Sequence, residues 1–306
     1  MTDMAALSEM LSSPFMQHAL LAGLFAAVAC GVMGTLVVQS RLAFLAGGAS
    51  HAAYGGIGLA FHCSWPVLPT TILFSLAASL LMGLISLRGG RDKKASPDAA
   101  IGVLWAAGMA FGIILVELTP GYAGELMGFL FGSILTVPQT DLTAMAAFDL
   151  LLLAVLWRYR QGLWALCLDR EFARARGLPV DALFLLLVGL TAVTVVLLIR
   201  IVGLILVLAL LTIPPYLALG RARTLYGAMA VSSGLAFLFC VVGLFVSWQT
   251  DISSGASIIA VAALTYFAAH LLPWLRAKGR FRTGRQKQQG QQDPPSEEPA
   301  KIGNNA

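Results

Sequence analysis

The stretch GGASHAAYGGIGLAFH, residues 47–62, decides the fold class of this chain. It places five glycines, a serine and two histidines between apolar runs. Small residues let membrane helices approach each other closely, and an ionisable side chain at membrane depth is a functional-site hypothesis by default. We therefore predict a closely packed membrane helix with His51 as its functional candidate. The competing interpretation of His51 is a neutral imidazole bonded to a neighbouring carbonyl.

The composition places that helix in a polytopic membrane protein. Of the 306 residues, 58% are hydrophobic and 11% are charged, with a mean hydropathy of +0.82, whereas soluble domains carry about 25% charged residues. The apolar runs are long and lack the alternation of barrel strands, which predicts an all-α fold. We expect eight to nine transmembrane helices and one re-entrant helical segment at 123–137. The runs are 16–38, 42–63, 67–87, 98–117, 140–157, 180–199, 201–219, 224–247 and 252–273.

The basic residues predict the orientation of these spans. If the amino terminus lies outside and 123–137 does not cross, only Arg200 of the 20 Lys and Arg residues is left on the outer side, as the positive-inside rule favours. We expect an extracytoplasmic segment at 1–14, a transmembrane domain at 15–275 and a disordered cytoplasmic tail at 276–306. The basic start of that tail is expected to be attracted to anionic lipid rather than to nucleic acid.

Motifs for chemistry within this chain are missing from the sequence. It has no GxxxxGK[ST] loop for ATP, no HExxH and no GxSxG, so no catalytic residue is predicted. The four cysteines are scattered and form no CxxC pair, which argues against a disulfide framework or a thiolate zinc site. The polar residues within the membrane spans are therefore the functional candidates.

Two carboxylates are such candidates. Asp149 lies nine residues before Arg158, about half a bilayer core deep, and is expected to face the interior, protonated or paired. A pathway role and a structural polar contact are both open. Glu125 opens GELMGFLFGSIL, residues 124–135, and either favours the helix dipole or lies on the access path of an ion. His62, about 16 Å from His51 along a helix, is expected to be interfacial.

The segment LDREFARARGLPVD, residues 168–181, is amphipathic in a different way. It mixes charges with Phe172 and Leu178 and ends in Gly177 before Pro179. This pattern predicts a short helix, about 169–178, with a glycine stop between two membrane spans. An ordinary cytoplasmic loop and a docking helix for a partner both fit the pattern.

With these residues identified, the chain resembles the permease subunits of ABC importers for zinc and manganese, from about Phe15 to Trp274. The wider architecture is similar to the type II importers without their first helix. The blocks that carry the resemblance are FLAGGASHAAYGGIGLAF, GELMGFLFGSIL, DREFARARGLPV, VGLILVLALLTIPPYLALGRA and TDISSGASIIAVAAL.

The resemblance implies the partners. It implies a homodimer in the cytoplasmic (inner) membrane of a prokaryote, with the carboxyl terminus in the cytoplasm and a metal pathway on the twofold axis. A cytoplasmic ABC ATPase and an extracytoplasmic metal-binding protein would complete the importer. No cofactor would be bound permanently: the divalent metal is cargo, and ATP acts only through the partner subunit.

The resemblance also implies roles for particular residues. DREFARARGLPV matches the family's coupling helix, whose working positions would be Asp169, Glu171, Arg174, Arg176 and Gly177. The metal pathway would include His51, Glu125 and Asp149, and the glycines expected to pack helices beside it are Gly47, Gly48, Gly55 and Gly56.

One position departs from the family. The family places an aspartate four residues before the histidine, and here that position is Gly47. Residues i and i+4 share a helix face, so this chain keeps the imidazole without the carboxylate. Imidazole suits zinc, copper, iron or nickel, whereas carboxylate suits manganese. We therefore expect zinc, with manganese or iron as alternatives.

Three other functions compete with this one. A permease for a metal chelate, such as a siderophore or haem, would share the architecture but need a wider pathway. A secondary transporter without an ATPase predicts inverted repeats, which the sequence does not show convincingly. A membrane-embedded enzyme lacks a catalytic constellation.

Overall fold

The computed structural model describes residues 13–89, 97–120, 128, 132 and 134–289, with the side chains at 97, 136 and 272–289 not described. Within these ranges the backbone forms helices and no strand. The all-α, polytopic fold is therefore confirmed. The helices are α1 Pro14–Gln39, α2 Ala43–Cys63, α3 Val67–Gly89, α4 Pro97–Glu117, a 3-10 turn Ile134–Thr136, α5 Gln139–Leu168, α6 Arg170–Ala175, α7 Val180–Val202, α8 Leu204–Leu219, α9 Leu225–Thr250 and α10 Ser254–Gln289.

Each of the nine predicted apolar runs coincides with one of these helices. Seven of the helices are long and apolar enough to cross a membrane. The other two are α2, in which glycines and two histidines dilute the apolar side chains, and α8, which has 16 residues and contains Pro214 and Pro215. The predicted re-entrant segment at 123–137 lies largely outside the described residues.

Two helices extend further than their apolar runs. The apolar run 140–157 predicts a helix that ends before Arg158, but α5 continues to Leu168 and is about 45 Å long, more than the roughly 30 Å core of a bilayer. We expected a disordered tail from 276, but α10 continues to Gln289. Arg, Lys and Gln favour helix, and both extensions are rich in them without proline in 274–289. Residues 290–306 lie outside the described part of the chain.

The helices differ strongly in burial. In α1 and in α7, 72% of the residues in the most apolar 18-residue stretch are buried, against 17% in α4. Helix α1 packs on α9 and α8 through glycines: Gly31 lies against Ser233 of α9, and a Cβ at Gly34 would come within 2.6 Å of the Leu211 carbonyl oxygen and of Pro215 in α8. The described residues up to Ala263 form one compact unit and those from Leu264 to Gln289 a second. Within the first unit, α1 is a central helix and α4 a peripheral one.

Two glycines with positive φ lie at the junction of α7 and α8. Gly203 has φ of 81° where α7 ends and α8 begins, a conformation that glycine adopts without steric cost. Gly132, with φ of 66°, lies against the backbone of Val202 and Gly203. The end of the 123–137 segment is therefore placed at the α7–α8 joint.

Candidate functional site

His51 lies in the middle of α2, and α4 holds its imidazole. The ring stacks on Trp105 with centroids 4.4 Å apart and an interplanar angle of 22°. Its Nδ1 lies 3.3 Å from the Met109 Sδ. Trp105 and Met109 are four residues apart and therefore share one face of α4. The imidazole is thus fixed by an aromatic ring and a thioether, and no described carbonyl holds it, contrary to the competing interpretation from the sequence.

Gly47, one turn before His51, leaves space for a side chain. The nearest atom to an added Cβ would be the Leu208 Cδ2 at 4.0 Å, an ordinary van der Waals contact. We expected Gly47 to pack helices closely, and the structure does not support this, because no neighbouring backbone approaches it. The position at which the resemblance implies an aspartate therefore carries no side chain but has space for one.

The other predicted glycines do lie at close helix contacts. A Cβ at Gly48 would come within 3.1 Å of Met82 and Ile101, one at Gly55 within 3.0 Å of the Gly108 carbonyl, and one at Gly56 within 2.7 Å of Thr71. Gly55 therefore brings α2 close to α4, while Gly56 brings it close to α3.

Sequence reasoning missed the glycines on the facing helix. Gly108 and Gly112 of α4 lie against the backbone of Ala52 and Tyr54, and Gly58 lies against Gly112. The signal was present, since these two glycines form a G-x-x-x-G pair in an apolar run, the pattern of closely packed membrane helices. This close contact fixes the position of Met109 on α4 relative to His51 on α2.

Asp149 is buried in α5 without a hydrogen-bond partner. It is 5% exposed, and neither carboxylate oxygen has a partner in the described part of the protein. It lies within electrostatic reach of Cys30 on α1. The described residues contain no group of three or more His, Cys, Asp or Glu side chains that could hold a metal ion. The structure therefore does not unite Asp149 with His51 in one site, and its pathway role stays a prediction.

Glu125, the other predicted pathway carboxylate, falls outside the described residues. The same holds for most of GELMGFLFGSIL, of which only Gly128, Gly132 and the turn from Ile134 are described. Its role stays a prediction.

The short helix predicted at 169–178 is α6, and its ends are capped. The Asp169 carboxylate accepts hydrogen bonds from the backbone N–H groups of Glu171 at 2.9 Å and Phe172 at 3.1 Å, an N-cap. At the other end Gly177 has φ of 75° and donates to the Arg174 carbonyl, while Leu178 donates to that of Ala173. These two bonds form a Schellman motif, so Asp169 and Gly177 define the limits of α6.

Charged side chains fix α6 to the start of α7. The Arg174 guanidinium lies 3.3 Å from Glu171 and 3.0 Å from Asp181. Arg170, which sequence reasoning missed, lies with its Cζ 4.6 Å from the centroid of the fully buried Phe184 ring. Burial is the largest cause that lowers the pKa of Arg170, and the Arg174 charge adds a smaller lowering.

Apolar side chains are exposed on α6 and at the end of α5 directly before it. Phe172 of α6 is 54% exposed and Leu168, the last residue of α5, is 76% exposed, with Arg176 5.1 Å from the Phe172 ring centroid. Exposed apolar groups rimmed by charge are typical of protein–protein contacts. Helix α6 is therefore a candidate docking surface.

These observations define the class, a polytopic helical membrane protein with a short amphipathic helix between two membrane helices. Residues 12–272 match the ABC 3 transport family, and the chain belongs to that family. It is 43% identical over 265 residues to an uncharacterised membrane protein of Synechocystis sp., covering 87% of this chain and 93% of that protein.

Two further comparisons are informative. The chain is 28% identical over 260 residues to a manganese transport system membrane protein of Halalkalibacterium halodurans, covering 85% and 87% of the two chains. It also matches the solved structure of PsaBC from Streptococcus pneumoniae in complex with Fab, with a TM-score of 0.76, 27% identity and coverage of 86% and 95%. The protein is the membrane-spanning permease of an ABC-type metal transporter.

Proposed function

We propose that this permease belongs to an ATP-driven importer that moves divalent transition-metal ions, zinc ahead of manganese or iron, along the axis of a homodimer. The observation that carries the proposal is His51, whose imidazole is fixed by Trp105 and Met109 one turn after the side-chain-free Gly47. A neutral imidazole at membrane depth, held in one orientation, supplies a metal contact without a fixed charge.

The zinc preference rests on the missing carboxylate. Manganese favours oxygen ligands, whereas imidazole suits zinc, copper, iron or nickel. Among the described residues, the contacts of the His51 imidazole are the Met109 thioether and the Trp105 ring, and neither is a carboxylate. Manganese import is the second candidate, favoured by the relative named as a manganese transport protein.

The exposed side chains of two helices support where we place the partner subunits. We place the cytoplasmic ABC ATPase on α6 and the adjoining end of α5, where Phe172 and Leu168 are exposed. The ion pair of Arg174 with Asp181 joins α6 to α7. Helix α4 supports placing the second copy beside it, since Val103 and Ile114 are 69% and 54% exposed on the helix that holds His51. An extracytoplasmic metal-binding protein would deliver the ion at the opposite end. This assignment places the carboxyl terminus in the cytoplasm and the amino terminus outside.

Elemental analysis of cells tests the proposal. Metal-limited cells that lack this gene are complemented with wild type, His51→Ala or His62→Ala. His62 is the matched control because it lies at the exposed end of α2, with its Nδ1 3.2 Å from Thr119 Oγ1. We expect wild type and His62→Ala to restore cellular zinc, and His51→Ala to fail at equal abundance in the membrane.

The other outcomes separate the alternatives. Restoration of manganese or iron instead of zinc would keep the importer and replace its cargo. A zinc level restored equally by His51→Ala would remove His51 from the pathway. If no cellular metal level changes and growth on a siderophore or on haem requires this gene, the chelate permease would be favoured.

A further inference from the structure

We propose that Met109 is a second metal ligand beside His51 and that its thioether makes the pathway select zinc over manganese. The inference rests on the proposed function, because it assumes that a metal ion meets His51. It assigns a specificity-determining role to a residue on α4, outside the sequence blocks that carry the family resemblance.

The separation of the two donor atoms suits one shared ion. His51 Nδ1 and Met109 Sδ lie 3.3 Å apart. Zinc binds imidazole nitrogen at about 2.0–2.1 Å and thiolate sulfur at about 2.3 Å. Two such bonds meeting at 90–110° place nitrogen and sulfur about 3.1–3.6 Å apart. The observed separation of 3.3 Å lies within this range, so the distance between the two atoms is compatible with a shared cation.

The packing around the pair holds both donors in place. Trp105 stacks on the imidazole from the turn before Met109. Two glycines flank Met109. A Cβ added at Gly108 would lie 3.1 Å from the Ala52 Cα, and Gly112 lies against the Tyr54 backbone. Side chains larger than hydrogen at these two glycines would separate α2 from α4. The thioether itself stays adaptable, because methionine is unbranched and polarisable.

The chemistry of the pair favours borderline or soft cations. Thioether and imidazole are ligands for ions such as zinc and copper(I), whereas manganese favours carboxylate, carbonyl and water. Neither donor carries a charge, and Gly47 adds none, so an ion would be held weakly. Weak binding suits a site through which an ion must pass, since it has to leave as well as enter.

X-ray absorption spectroscopy at the zinc edge tests the ligand directly. The purified full-length protein is loaded with zinc in a Cys63→Ser background, because Cys63 is an exposed free thiol that would contribute sulfur of its own. We expect one sulfur scatterer at about 2.3 Å that is lost in Met109→Leu. It should persist in Met33→Leu, a matched control at a fully buried methionine of α1.

Metal uptake by the intact importer tests the effect of Met109 on selectivity. Met109→Leu should lower the ratio of zinc to manganese uptake by at least about tenfold, the loss that even an outer-shell partner of a metal ligand causes, while Met33→Leu leaves it unchanged. A sulfur scatterer that persists in Met109→Leu, or an unchanged uptake ratio, would overturn the role of Met109 and leave His51 in the pathway. If His51→Ala imports zinc normally, no ion meets His51 and the premise of this inference fails; if wild type imports neither zinc, manganese nor iron, the proposed function itself fails.

Discussion

Asp141 and Arg200 form an ion pair that joins the start of α5 to the end of α7, with Arg200 Nη2 3.1 Å from Asp141 Oδ2. The two side chains are 14% and 32% exposed. Arg200 was the one basic residue that the predicted orientation left outside. Its pairing with a carboxylate at the same end of the bundle gives it a local partner, so the exception has a structural cause.

Loss of either member of this pair should destabilise the protein. Asp141→Asn leaves a partly buried guanidinium without its partner, and we expect a loss of about 1–3 kcal/mol, between the values of exposed and fully buried pairs. Thermal unfolding in detergent measures it. In a double-mutant cycle with Arg200→Gln, the double variant should lose less than the sum of the single changes. Strict additivity would show that the pair contributes nothing.

Gly47→Asp should shift the metal preference toward manganese. The structure has room for the side chain, since the nearest atom to an added Cβ is 4.0 Å away. The new carboxylate would lie one turn before His51 on the same face and provide an oxygen ligand. The ratio of manganese to zinc uptake should rise, whereas Gly47→Ala keeps the wild-type ratio. Equal ratios in both variants would mean that position 47 does not face the ion.

Gly58→Ala should fold poorly although it changes one methyl group. The added Cβ would lie 2.7 Å from the Gly112 Cα, so α2 and α4 would have to separate, at a cost of about 1–3 kcal/mol. The abundance of monodisperse protein after extraction measures the effect, with Gly47→Ala as the control on the same helix. Equal abundance of both variants would contradict the close α2–α4 contact.

Gly177→Ala should weaken docking through the backbone alone. No atom lies within 4 Å of an added Cβ, but φ is 75°, a conformation that costs a residue other than glycine about 1–2 kcal/mol. We expect the metal-stimulated ATP hydrolysis of the assembled importer to fall. Gly177→Asn should retain more activity, because asparagine tolerates this conformation. Full activity in Gly177→Ala would show that the α6 stop is dispensable.

Hydropathy predicted the long membrane helices, because a bilayer demands long apolar segments whose backbone groups are satisfied internally. The same measure failed at Leu168 and Gln289, where α5 and α10 continue through basic residues that were interpreted as loop and tail. Length and hydropathy mark where a helix can lie in lipid, but helix propensity decides where it ends.

The candidate site was predictable in part. His51 and Gly177 were identified from residue type and local sequence, because an intramembrane imidazole and a glycine at a helix end are local signals, whereas Asp169 was named only through the family resemblance. Met109 was not, since its importance comes from a contact between α2 and α4 that no local pattern contains. The open space at Gly47 likewise depends on Leu208 of α8, far away in the sequence.

The central claim is that a metal ion contacts His51 on its way through the membrane. The most direct test is the initial rate of radioactive zinc uptake by metal-limited cells that express wild type, His51→Ala or His62→Ala at equal membrane abundance. The account predicts a strongly reduced rate for His51→Ala and a wild-type rate for His62→Ala. A wild-type rate for His51→Ala would contradict it.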